Sequence, residues 1–100
     1  ILARVEAAAK ADFVIVLYNP RSGKRQEPWD RTISILKKYR NPETPVGIVT
    51  KAGRTGESVK LTSLDQIDEH EPDMLTTVIV GNSRTRVKSG RMITPRGYKL

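Results

Sequence analysis

Cysteine is absent from the 100 residues of this chain, so disulfides and thiol chemistry are excluded. Histidine occurs once, at His70, which rules out a metal site built from Cys and His, and no metal is expected. No apolar run reaches the ~18 residues of a membrane span, and no signal peptide pattern is visible. A cytoplasmic protein with no membrane partner is the expectation. Aromatic side chains are few: Phe13, Trp29 and three tyrosines, Tyr18, Tyr39 and Tyr98, which do not cluster. Phe13 and Trp29 are predicted to face the core. With no RNP or helix-turn-helix pattern and no stacking platform, nucleic acid is not the expected partner. The chain also lacks an opening Met. It starts with Ile1 inside a helical pattern that no capping residue precedes, as a piece of a longer protein would.

Charge is what the chain has in excess, +7 in all. Residues 21–40 hold seven Lys or Arg against Glu27 and Asp30, and residues 81–100 hold six basic residues and no acid. Asp65, Asp68, Glu69, Glu71 and Asp73 form an acidic stretch. Solvated surface explains any one of these clusters. Taken together, the basic ones also suit a polyanion, whether a phosphate, a polycarboxylate or nucleic acid.

One hundred residues make one domain. Ile1, Leu2, Val5, Ala8 and Ala9 share a helical face, which predicts a helix over 1–10. "DFVIVLY", 12–18, is apolar on both faces and reads as a buried, central strand. A second helix is predicted over 28–40, with Pro28 in its first turn and Trp29, Ile33, Leu36 and Tyr39 on its apolar face. "VGIVT" (46–50) and "LTTVIVG" (75–81) are two further buried strands. "ESVKLTSL" (57–64) alternates as a half-buried strand, with Val59, Leu61 and Ser63 on its inner side. The acidic stretch reads as a short helix and loop, and "TRVKSGRMIT" as a hairpin turning at Ser89-Gly90. The class expected is α/β with α+β character: a mixed sheet of about five strands flanked by helices.

"LYNPRSGKR" (17–25) poses the first functional question. It is not a P-loop, because the first Gly is missing and Arg25 stands where Ser or Thr is needed. Asn-Pro-x-Ser-Gly after a buried strand is similar to the opening of diacylglycerol- and sphingosine-type lipid kinases, but their downstream Gly-Gly-Asp-Gly run is absent. Ser22, Ser63 and Ser83 have no histidine assigned to them by spacing, and no catalytic residue can be named. A more informative feature is shared by three places. Tyr18-Asn19, Ala52-Gly53 and Gly81-Asn82 each lie at or just beyond the C-terminal end of a buried strand, where open α/β sheets bind ligands. Should the three strands be neighbours, the loops converge on one edge and present main-chain groups to a flat ligand. Three unrelated turns remain the alternative at this point.

"ADFVIVLYNPRS", "TPVGIVTKAGRTGE", "LTSLDQI", "DMLTTVIVGNSRT" and "MITPRGY" together resemble the C-terminal domain of the precorrin-3B or cobalt-precorrin-3B C17-methyltransferases, within the tetrapyrrole methylase family. The resemblance runs over nearly the whole chain, in order; residues 26–36, with Pro28-Trp29, are its least typical part. It implies the C-terminal lobe of a two-lobed enzyme of cobalamin biosynthesis, with the N-terminal lobe outside the chain. It further implies S-adenosyl-L-methionine in the cleft between lobes, a small-molecule tetrapyrrole substrate with about eight carboxylates, and a homodimer in the full-length protein. Carried over position by position, it assigns cofactor contacts to Tyr18 and Asn19, to Ala52 and Gly53, and to Thr76 and Thr77. Asn19 stands where the family often has Met. Arg21, Lys24, Arg25, Arg84, Arg86 and Arg96 are the basic residues expected to attract the substrate. A basic phosphate- or nucleic-acid-binding module without activity, and a degenerate lobe that has lost activity, are the competing readings.

Overall fold

The computed structural model describes residues 2–18, 27–51, 53–69 and 76–95. "NPRSGKR" and the C-terminal "RGYKL" lie outside these residues, as do Asn19, Ala52 and His70. The first helix, α1 (Leu2–Lys10), buries Val5 and Ala9, one turn apart. It closes with Asp12 N–H donating to the Ala9 carbonyl (3.3 Å) and Phe13 N–H to the Ala8 carbonyl (3.1 Å). This is the paired bonding of a Schellman stop, which needs a left-handed residue after the helix. Asp12 takes that place with φ 63°, a conformation that Asp tolerates better than most residues.

Strand β1 (Ile15–Tyr18) follows, then helix α2 (Glu27–Tyr39). Trp29, Ile33 and Leu36 of α2 are buried at helical spacing, as expected. Strands β2 (Pro45–Thr50) and β3 (Ser58–Ser63), a 3-10 helix at Leu64–Glu69 and strand β4 (Thr76–Val80) complete the main sheet. Strands β5 (Arg86–Lys88) and β6 (Arg91–Ile93) form a separate two-stranded ribbon. Its Ser89 (φ 53°) and Gly90 (φ 72°) are both left-handed, the signature of a type I′ hairpin turn at the position expected.

The sheet order is β1-β4-β2-β3. The expected α/β class stands, with four strands in the sheet and two in the ribbon, but every pairing among the described strands is antiparallel where a mixed sheet is expected. Strand β4 is antiparallel to both β1 and β2, so these two run in the same direction without touching. The register makes two kinds of row. Ile15–Val80–Val46 and Leu17–Val78–Ile48 face the helices and fill the core with Trp29, Ile33, Leu36, Leu64 and Ile67. Val16–Ile79–Gly47–Leu61 and Tyr18–Thr77–Val49–Val59 lie on the other face. Gly47 sits at the centre of that second face, where a Cβ would lie 3.6 Å from Met92 Sδ of the ribbon.

Three expectations change. The strand expected to be central is an edge strand, four residues long, because only β4 pairs with it. Phe13 is 60% exposed and precedes the strand instead of entering the core. Val59, expected on the inner side of its strand, is also 60% exposed, since the register places it on the face away from the helices, in the edge strand β3. In each case apolar character reports a preference for burial but not a place in the ladder.

Arg40, the residue after α2, ties the layers together. Its buried guanidinium donates to the carbonyl oxygens of Gly81 (2.5 Å), Ala8 (3.2 Å) and Phe13. It thereby joins the end of α2, the end of α1, the approach to β1 and the exit of β4. Burial pulls its pKa below the ordinary value, and the neighbouring Asp12 pushes it back up.

Asp12 makes a second link: its carboxylate accepts from the Ser83 backbone N–H (2.9 Å) and from the Ser83 hydroxyl. The Ser83 hydroxyl bond, then the backbone bond, hold the Asp12 pKa below 3.8. A carboxylate held low stabilises the fold above its unfolded pKa and ceases to do so as pH falls through the folded one. The Asp12→Asn variant is therefore expected to be less stable than the parent at pH 7, by about 1 kcal/mol for bonds this exposed. The gap should close in the acid range below 3.8. Denaturant melts at both pH values check this; a gap that persists in acid refutes it.

Candidate functional site

The direction of β4 decides which loops meet. Tyr18, at the C-terminal end of β1, pairs with Thr77 near the N-terminal end of β4. Thr77 pairs in turn with Val49, and Thr76 with Thr50, at the C-terminal end of β2. The ends of β1 and β2 and the start of β4 thus share one edge. Gly81-Asn82, expected to join them, does not: it leaves β4 at the other edge, where Val80 pairs with Ile15 and Val46. The two edges are separated by the length of β4, roughly 13 Å at the usual strand rise. Arg84 and Arg86 follow Gly81-Asn82 to that far edge, beside Asp12 and the approach to β2.

Alternation along β4 separates the two threonines. Thr77 lies on the open face between Tyr18 and Val49, half-buried, whereas Thr76 lies on the helix side and is buried. Tyr18 is 75% exposed, with its ring on the open face beside Thr77. Asn19 and Ala52 lie outside the described residues.

The turn from β2 to β3 completes the edge. Lys51 (φ 54°), Gly53 (φ 73°) and Gly56 (φ 87°) are all left-handed. Arg54 N–H donates to the Lys51 carbonyl (2.9 Å), Glu57 N–H to the Arg54 carbonyl (3.1 Å), and Gly53 N–H to Glu57 Oε1 (3.0 Å). The turn is closed by its own bonds, with its outward side free. Its chain neighbours aside, no atom of the described residues lies within 4 Å of the place where a Cβ on Gly53 would stand. A flat ligand can approach that backbone as closely as an absent side chain permits. A half-exposed threonine beside an exposed tyrosine ring offers it a hydroxyl and an aromatic face. This arrangement fits the adenosyl part of a nucleoside cofactor.

Sequence reasoning named Tyr18, Thr77 and Gly53 and missed Val49 and Thr50, which share their edge. The signal that finds Val49 and Thr50 is the pairing register, and register needs the strand order. No helix among the described residues is long and apolar enough to cross a membrane.

The fold is that of a solved methyltransferase, CobJ: the two superpose with a TM-score of 0.82 at 29% identity, over 94% of this chain and 39% of that one. The chain thus shares its fold with part of a solved methyltransferase. Two relatives narrow the class. A cobalt-factor III methyltransferase of Priestia megaterium is 53% identical over 96 residues, covering 96% of this chain and 18% of that protein. A probable cobalt-factor III C(17)-methyltransferase of Salmonella typhimurium is 48% identical over 97 residues, covering 97% of this chain and 40% of that protein. Over nearly its whole length the chain is similar to these C(17)-methyltransferases. It spans 18% and 40% of the lengths of these two relatives. No protein-family model matches it.

Proposed function

We propose that the chain is the C-terminal lobe of an S-adenosylmethionine-dependent methyltransferase acting at C17 of precorrin-3B or its cobalt form, in the ring-contraction stage of cobalamin biosynthesis. The whole enzyme would be a cytoplasmic homodimer with an N-terminal lobe closing over the cofactor. The observation that carries this reading is the meeting of Tyr18, Thr77 and the Gly53 turn on one sheet edge. These are positions that the resemblance assigns to the cofactor.

S-adenosylmethionine, when bound, supplies a methyl group on a sulfonium for in-line transfer to carbon. This lobe contributes position: alignment of donor and acceptor is a term that can supply ~7–11 kcal/mol of a barrier. Tyr18 provides a ring face, Thr77 a hydroxyl, and Gly53 main-chain atoms no side chain screens. All three sit on a paired sheet edge or a turn closed by its own bonds, so they are held in place before the ligand arrives.

Calorimetric titration of the full-length protein tests the reading. S-adenosylhomocysteine is expected to bind saturably, and Tyr18→Ala to weaken it about tenfold, the loss of one aromatic stacking contact. An RNA oligonucleotide is expected to give no saturable heat. Absence of S-adenosylhomocysteine binding in the parent protein, with or without RNA binding, would remove the proposal.

A further inference from the structure

The basic residues first expected to draw in an anionic substrate include Arg84 and Arg86, and the topology carries both to the edge away from Tyr18, Thr77 and Gly53. Two other cations lie at the right edge. Lys51 and Arg54 belong to the turn between β2 and β3, on either side of Gly53, and both are exposed. We propose that Lys51 and Arg54 form a carboxylate-binding pair at the cofactor edge, deepening and resting on the function proposed above.

Three observations converge on this pair. The first is placement: Lys51 directly follows Thr50, which pairs with Thr76 in the rim itself. The second is the state of the two charges. Neither Lys51 nor Arg54 has a carboxylate within salt-bridge distance among the described residues, whereas Lys10 pairs with Glu6 at 3.6 Å. Glu57, the acid of the same turn, is engaged by the Gly53 N–H. The third is presentation. Lys51 folds back over the glycine at 56, its Nζ 3.7 Å from where a Cβ on Gly56 would stand. That is ordinary contact distance, so the ammonium lies alongside the turn backbone. Arg54 N–H bonds to the Lys51 carbonyl, so one closed turn spaces both cations.

A carboxylate can reach this edge from two sources, the acetate or propionate arms of a tetrapyrrole or the amino-acid end of the cofactor. Charge-assisted bonds from an ammonium and a guanidinium suit either. The pair is exposed, so its contribution is modest and falls with added salt.

The test uses the full-length protein, the Lys51→Gln/Arg54→Gln double variant, and Arg84→Gln as a cation removed at the far edge. The probes are uroporphyrin III, a porphyrin octacarboxylate; S-adenosylhomocysteine, which carries the amino-acid end; and methylthioadenosine, which lacks it. The double variant is expected to weaken one of the two carboxylate probes about threefold to tenfold at low salt and to flatten its salt dependence. Methylthioadenosine affinity and the melting temperature should stay unchanged. Loss confined to uroporphyrin assigns the pair to the substrate; loss confined to S-adenosylhomocysteine assigns it to the cofactor. Both support the proposal. Intact binding of both probes to the double variant, or an equal loss in Arg84→Gln, overturns it while the cofactor edge survives. Failure of the parent protein to bind S-adenosylhomocysteine overturns the proposed function as well.

Discussion

Replacing Arg40 with leucine is expected to cost the fold about 3 kcal/mol. The guanidinium satisfies three carbonyl oxygens, on Gly81, Ala8 and Phe13. Removing the donor leaves acceptors stranded in partly dry surroundings, at about 1 kcal/mol each where water reaches some of them and more where it does not. Leucine restores apolar volume but no donor, so packing gains offset little of this. Lysine keeps the charge but presents a single point, and the planar fork that serves three separated carbonyls is lost. Arg40→Lys is therefore expected to recover less than half of the loss. For a 100-residue domain, 3 kcal/mol corresponds to a melting temperature lower by roughly 12–24 °C. The exposed Lys10–Glu6 pair supplies the comparison, since Glu6→Ala should change stability by no more than ~0.5 kcal/mol. A loss below ~1 kcal/mol in Arg40→Leu would mean that the three carbonyls are served by water, and that Arg40 is not the tie between layers.

The second large effect is on binding. Thr77→Trp is expected to reduce S-adenosylhomocysteine affinity about tenfold to a hundredfold, the range set by forcing a large side chain into occupied space. Thr77 stands between Tyr18 and Val49 in one row of the open face, so an indole there lies over the place proposed for the adenosyl group. Because Thr77 is half-buried and on the side away from the helices, the core is spared and melting should move little. A substitution at Thr76 gives the contrast: that side chain is buried on the helix side, so Thr76→Trp is expected to unfold the protein rather than block a ligand. An affinity for Thr77→Trp within threefold of the parent would place the cofactor elsewhere.

The contrast between these two adjacent threonines shows where sequence reading stops. Both were assigned to the cofactor from the resemblance, as neighbours in "LTTVIVG". Strand alternation sends them to opposite faces, and which face is dry depends on where the helices pack. The Gly81-Asn82 loop carries the same lesson. It follows a buried strand, as Tyr18-Asn19 and Ala52-Gly53 do, and local pattern cannot tell that this strand runs the other way. Phe13 and Val59 read as core because they are apolar. They are exposed because one precedes an edge strand and the other lies on the face away from the helices. By sequence, Arg40 is only one of the seven basic residues of 21–40. Its three acceptors lie 27 to 41 residues away in the chain, beyond any local signal.

Local chemistry was enough for what depends on near neighbours in the chain. The spacing of Trp29, Ile33 and Leu36 makes a helix wherever it is placed, because helical periodicity is a property of the backbone. The Ser89-Gly90 turn closes a hairpin because Gly, and at lower ease Ser, accept left-handed angles. Gly53 and Gly56 suit a tight turn for the same reason. Strand order, the antiparallel course of β4 and the choice of edge were settled only by packing. Two helices can cover one face alone, and the burial of Val78, Val80, Val46 and Ile48 beneath them selects one pairing register. That pairing brings Tyr18, Thr77 and the Gly53 turn together and takes Arg84 and Arg86 away from them.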